Sequence, residues 1–206
     1  MTMKNKTHWY DGWFYDTFIA PNQKGLFGEI IELIEPNLKI IDVGCGTGLF
    51  SFSVADKCSS VVGIDLSERN INKAKKNLAK QPDPKVSFLH NSITEIQQDN
   101  KQHFDYAVLT FVIHEVNADE RISLLKDIAS VADKIIIGDY LVPRPNNFKG
   151  KLTNLIEFVA GKNHYRNFKN YVAHGGIAYL AHKAELTILS EIKNKESANH
   201  ITVLSK

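Results

Sequence analysis

Gly44, Gly46 and Gly48 alternate with Cys45 and Thr47 in the stretch Ile40-Ile41-Asp42-Val43-Gly44-Cys45-Gly46-Thr47-Gly48. Glycine lets a backbone turn sharply and lets a ligand press against it. The apolar run before the turn reads as a strand and the residues after it as a helix, so the glycines fall at a strand's carboxyl end. Open α/β sheets bind their ligands there. The spacing D-x-G-x-G-x-G departs from the G-x-G-x-x-G fingerprint, which seats a pyrophosphate on a helix N-terminus. A carboxylate at Asp42 repels a pyrophosphate and welcomes a cation, which disfavours a nicotinamide-dependent oxidoreductase.

S-adenosylmethionine suits that charge pattern: it has no phosphate and carries a sulfonium, an ammonium and one carboxylate. A second acid, Asp65 in Gly63-Ile64-Asp65-Leu66-Ser67, follows Gly44 by 21 residues. That is the distance of one helix and one strand. A carboxylate at this point can accept hydrogen bonds from both hydroxyls of a ribose. The plainer role, capping the next helix, can fall to Ser67.

His114 follows the fourth predicted strand and is the first candidate for a general base or a substrate contact, since histidine titrates near neutral pH. A polar rim residue that orients Glu115 is the competing reading. His114-Glu115 does not open a metalloprotease motif, because Ala118 stands where HExxH needs its second histidine. His164 and Tyr165 are candidate substrate contacts. The 8 histidines show no ligand spacing with Cys or Asp, so no metal site is expected.

The elements that must position these residues alternate. Strands are predicted at Leu38–Val43, Ser60–Asp65, Val86–His90, Phe104–Phe111 and Lys134–Asp139, with helices at Leu49–Cys58, from Ser67 to about Lys80, and at Ala118–Val131. Continuous apolar strands alternating with helices imply a parallel sheet covered on both faces. Leu186–Ile192 and His200–Leu204 are joined by too short a link for a crossover helix, so they pair antiparallel. Two stretches fall outside this rhythm. Residues 1–37 are dense in aromatics, including Trp9, Tyr10, Trp13, Phe14, Tyr15 and Phe18. Residues 143–182 carry Tyr165, Phe168 and Tyr171. Both are expected as caps over one domain that spans residues 1–206.

Composition agrees with a single globular domain. The chain has 206 residues, 43% hydrophobic and 23% charged, and a net charge of +2. So even a balance leaves no footprint for binding a phosphate backbone, and nucleic acid is not the expected partner. The basic run Lys73–Lys80 reads as a solvated helix face. The 2 cysteines fit a reducing compartment. No apolar run reaches the ~20 residues that span a bilayer. A cytoplasmic protein is expected.

IIDVGCGTG, GIDLS and FDYAVLTFVIHEV (Phe104–Val116) together resemble the class I S-adenosylmethionine-dependent methyltransferases, over about Lys39 to Pro143. The resemblance implies an α/β, Rossmann-like, seven-stranded and mostly parallel sheet with an antiparallel last strand, helices on both faces and a small helical cap. It implies S-adenosylmethionine as cofactor and S-adenosylhomocysteine as product. YDGWFYDTFIAP (Tyr10–Pro21) looks like the N-terminal segment of the quinone-biosynthesis type, which points to Tyr15 and then Tyr10 near the methionyl end. Residues 160–168 are similar to a segment of small bacterial methyltransferases.

On this reading Asp42, Gly44, Cys45, Gly46 and Thr47 line the methionyl end. Asp65 holds the ribose and Leu66 packs on adenine. Asn91, Ser92 and Ile93 flank the base, and Thr110 and Phe111 lie under the cofactor. Relatives usually place an aspartate where Ser92 stands. His114, His164, Tyr165 and Tyr10 remain for the acceptor, a small molecule. An RNA or protein methyltransferase and a non-catalytic S-adenosylmethionine-binding protein stay open as alternatives. The acceptor and the oligomeric state are not specified.

Overall fold

The computed structural model describes residues 20–99, 102–146, 157–158 and 161–206. Tyr10 and Tyr15 lie outside the described residues, as do the other N-terminal aromatics named above. Seven strands form one sheet: β1 (Lys39–Val43), β2 (Ser60–Ile64), β3 (Val86–Leu89), β4 (Phe104–Thr110), β5 (Ala132–Tyr140), β6 (Thr187–Asn194) and β7 (Asn199–Ser205). Their order is β3-β2-β1-β4-β5-β7-β6. The strands β1 to β5 pair in parallel, and β7 runs antiparallel to both β5 and β6. The expected class, an α/β sheet of seven strands with an antiparallel last strand, is what the chain adopts. The topology reverses between β1 and β4, which places a ligand crevice over the carboxyl ends of those two strands.

The side-chain period of two explains why both faces are covered. Ile40, Val108 and Ile136 face one side, where they pack with Leu26, Phe27 and Ile30 of α1 (Ala20–Leu33), Phe50 and Val54 of α2 (Leu49–Val54), and Ile71 and Ala74 of α3 (Glu68–Lys80). Ile41, Leu109, Ile135 and Ile137 face the other side. There they meet Ile96 of α4 (Ile93–Asp99), Leu125 and Ile128 of α5 (Arg121–Val131), and Ile177 and Leu180 of α7 (Gly176–Ala184). The inner strands β1, β2, β4 and β5 therefore read as mostly apolar runs rather than as alternation, whereas β3 alternates buried and exposed residues and β6 is exposed along most of its length. Ser67 caps α3, accepting the Asn70 amide at 3.3 Å, as its position before the helix predicts.

Two expectations need correction. The segment 143–182 is not a cap throughout. Its last part, α7, packs on α5, β5 and β6 and supplies Ile177, Leu180 and Ala181 to the core. The topology requires this: β5 and β6 both run opposite to β7, so the chain between them must cross over. The described part of 1–37 likewise holds α1, which covers the sheet with three core residues. The structure also adds α4, which the strand–helix rhythm does not anticipate. Ser92-Ile93-Thr94-Glu95 is a capping box: the Glu95 amide donates to Ser92 Oγ at 3.2 Å, and the Ser92 amide donates to Glu95 Oε2 at 2.7 Å. That pattern is the signal for the helix.

Candidate active site

The Gly-rich turn leaves β1 with Gly44, Gly46 and Gly48 at φ of 74°, 55° and 89°. These values are cheap for glycine and cost a side-chain residue roughly 1–2 kcal/mol each. Gly44 has a second reason to lack a side chain, since a Cβ there would lie 2.6 Å from Val112 Cγ2. At Gly46 no described atom lies within 4 Å of the Cβ position. Among the described residues, the outer face of the turn is thus bare backbone with space in front of it.

Asp65 holds this turn from the neighbouring strand end. Its Oδ2 accepts the Gly46 amide at 2.8 Å and its Oδ1 accepts the Ser67 amide at 2.7 Å. One carboxylate therefore ties the loops after β1 and β2 together. A carboxylate offers about four lone-pair sites, enough to accept ribose hydroxyls alongside these two bonds. Leu66, next to it, is 48% exposed and presents an apolar surface at the rim. Its carbonyl meets His90 Nε2 at 3.1 Å, which joins the third loop to the second.

Asp42 lies beneath the turn with its side chain shut off from solvent. Oδ2 accepts the Ser51 hydroxyl at 2.6 Å, while Oδ1 has no hydrogen-bond partner among the described residues. Burial pushes its pKa up to about 7, the Ser51 hydrogen bond opposing and the nearby Asp65 charge adding to the rise. Cys45 is buried beside it, and burial drives its thiol far above the ordinary range. Such a thiol is inert at neutral pH.

A second cluster lies beyond the end of β4. Phe111 takes a left-handed φ of 56°, its amide donating to the Gly138 carbonyl at 2.8 Å, and so turns the chain over the sheet edge. His114, 1% exposed, sits on Asp139 at the end of β5, with Nδ1 and Oδ1 2.7 Å apart. Its Nε2 faces Glu157 Oε2 at 3.7 Å and Glu115 Oε1 at 4.0 Å. His164, from α6 (Lys162–Ala173), presents Nδ1 to Glu115 Oε2 at 3.9 Å and pairs through Nε2 with Glu157. The Tyr140 hydroxyl donates to the other Glu157 oxygen at 2.8 Å. Burial opposes charge on His114, but Asp139, Glu157 and Glu115 outweigh it and carry its pKa up to about 9. The same histidines hold Glu157 below the ordinary carboxylate range despite its burial.

Arg121 fastens the loop that carries His114 to α6. The guanidinium is buried and donates to the carbonyls of Val116, His114 and Asn167 and to Asn170 Oδ1, at 2.6–3.2 Å. Asn167 adds a bond from Nδ2 to the Glu115 carbonyl at 2.8 Å.

The structure brings most of the sequence candidates to one rim. Gly44 to Thr47, Asp65, Leu66, Asn91, Ser92, Thr110 and Phe111 all stand at or just past the carboxyl ends of β1 to β4. Ile93 instead faces the core at 4% exposure, and the Ser92 hydroxyl is engaged with Glu95 at 2.9 Å. The Tyr165 ring meets Phe158 and Phe168 rather than His114. Asp139, Glu157, Arg121 and Asn167 were not singled out by residue type or spacing. For Asp139 the signal existed, since it ends an apolar strand on the ligand side of a parallel sheet.

A family model described as a methyltransferase domain matches residues 40–134, from β1 into β5. This stretch is similar to methyltransferase domains. The Gly-rich turn and both acids lie within it. The domain's relatives include the O-antigen chain terminator bifunctional methyltransferase/kinase of Escherichia coli, 32% identical over 105 residues, which are 48% of this chain and 15% of that protein. The mitochondrial ubiquinone biosynthesis O-methyltransferase of Candida albicans is 38% identical over 98 residues, 45% of this chain and 29% of that one. The chain thus spans less than a third of either relative. Its fold is that of the class I methyltransferases. The magnesium protoporphyrin IX methyltransferase of Synechocystis, solved with S-adenosylhomocysteine, superposes with a TM-score of 0.67 at 16% identity, covering 96% of this chain and 90% of that one.

Proposed function

We propose that the chain transfers a methyl group from S-adenosylmethionine to a small-molecule acceptor. The observation that carries this reading is the Asp65 carboxylate on the Gly46 amide, beside a turn whose outer face is open. The residues present fit the cofactor. Bare backbone at Gly46 admits a ligand in van der Waals contact. Asp65 offers the acceptor that ribose hydroxyls need, and Leu66 an apolar surface for the base. Asp42 lies beneath the end where a sulfonium and an ammonium would lie, and a cation there would favour its ionised form. Asn91 and Thr110 complete the rim, and Tyr15 and Tyr10 belong to the segment assigned to close it. When bound, the cofactor supplies an electrophilic methyl with a neutral leaving group. The protein's task is then to hold nucleophile and methyl in line away from water, which can contribute several kcal/mol.

The acceptor side is assigned to His114, Glu115 and His164, past the end of β4. The even overall charge argues for a small molecule over RNA or an acidic protein surface. No helix among the described residues is long and apolar enough to cross a membrane. Two buried free thiols suit a cytoplasmic setting. The test is production of S-adenosylhomocysteine by the purified chain with panels of phenols, carboxylic acids and amines, and with bulk RNA and protein. Turnover with one small-molecule class supports the reading. Turnover only with RNA or protein overturns its acceptor half.

A further inference from the structure

We propose that His114, Glu115 and His164 form a binding site for a divalent transition-metal ion of the zinc and cobalt class. Each contributes one donor atom, and the three lie within 4.8 Å of one another. Ligands around such an ion stand roughly 3–4 Å apart, given metal–ligand bonds near 2.0–2.2 Å. Glu115, with a side chain 40% exposed, is free to make that small closure and opens the site to solvent.

The arrangement behind the ligands distinguishes this cluster from a surface group of acids. Both histidines are held by a buried carboxylate, and the one on His164 also faces His114 Nε2 at 3.7 Å. His114 Nδ1 is on Asp139, and His164 Nε2 is on Glu157. Asp139 is 0% and Glu157 3% exposed. Carboxylates placed this way fix the ring orientation of metal-binding histidines and raise their basicity. The cluster also gathers the carboxylates of Glu115, Asp139 and Glu157 in one place. Arg121 donates to backbone carbonyls and Asn170, and Arg144 lies over the rings of Tyr140 and Phe168. Two imidazoles and one carboxylate select borderline ions over magnesium or calcium.

Three protein donors leave a coordination position for an outside ligand. The cluster lies on the acceptor side of the site, so that ligand is an oxygen of the acceptor, a hydroxyl or carboxylate. This half of the inference rests on the methyl-transfer reading; the metal site itself does not.

The test is titration of the chelator-treated full chain with Co2+, followed by visible absorption, with Zn2+ as competitor. Saturable bands at one ion per chain, displaced by Zn2+, are expected. Glu115→Gln and His164→Gln should weaken binding by at least about tenfold. Circular dichroism verifies the fold of both, and Glu115→Gln alters a half-exposed side chain that the core does not need. Absence of saturable bands, or equal affinity in both folded variants, overturns the site. Acetohydroxamate, a small oxygen chelator, should then shift the bands. Unshifted bands overturn the acceptor half alone. Neither readout requires S-adenosylmethionine, so failure here and failure of the methyl-transfer reading are separately visible.

Discussion

The Asp65 carboxylate accepts the amide hydrogen of Gly46 at 2.8 Å, across 19 residues of chain. The bond couples the turn after β1 to the end of β2. It makes one acid responsible both for the shape of the Gly-rich turn and for the ligand-accepting edge beside it.

The glycines of that turn should separate in their effects. Gly44→Ala places a methyl against Val112 at a left-handed φ of 74°. It should cost about 2–4 kcal/mol of stability, combining backbone strain with overpacking. Gly46→Ala meets no neighbour and should cost only about 1 kcal/mol. Its methyl stands where the ligand must approach, so S-adenosylhomocysteine affinity should fall at least about tenfold, a loss of ~1.4 kcal/mol. Urea unfolding and calorimetric titration of both variants check the contrast. Equal effects on stability and binding would refute it.

Asp42 makes stability depend on pH. Its folded pKa, about 7, lies above the ordinary 3.8. The folded state therefore binds the proton more tightly, and stability falls as pH rises through that window, then levels above it. Asp42→Asn removes the dependence. The variant should match the parent near pH 4 and exceed it at pH 8, by up to roughly 4 kcal/mol. Urea midpoints across the range decide this, and a parent that is more stable at pH 8 than the variant contradicts it.

Arg121 should prove structural for the acceptor side. Removing it strands buried carbonyls of His114 and Asn167 and frees α6 from the loop after β4. Arg121→Met should lose about 3 kcal/mol. Arg121→Lys should not restore it, because an ammonium cannot reproduce a planar fork with five donors. A lysine variant as stable as the parent in denaturant would show that only the charge matters.

The parallel sheet was legible because strands buried on both faces leave unbroken runs such as Lys134–Asp139, and helices between them leave a period near 3.6. The nucleotide-like half of the site was legible for a related reason: Gly44 to Thr47 and Asp65 lie in two short stretches whose spacing the topology dictates. The acceptor half was not. His114, Asp139, Glu157 and His164 come from four separate parts of the chain, and nothing in their spacing announces a common centre. His114 was visible as a rim histidine, but its partners were assembled only by the crossing of β5 and the docking of α6. The helix α4 was missed although Ser92 and Glu95 spell its capping box. The role of α7 was missed because a crossover helix and a cap share the same amphipathic pattern.

The most direct test of the central claim is calorimetric titration of the chain and of Asp65→Ala with S-adenosylhomocysteine, with NADH as a control ligand. Micromolar binding by the parent is predicted. The variant should bind at least about thirtyfold more weakly, the loss of one or two charge-assisted hydrogen bonds. NADH should not bind. An unchanged affinity in the variant, or binding of NADH in place of S-adenosylhomocysteine, would contradict the assignment of Asp65 and the open turn to this cofactor.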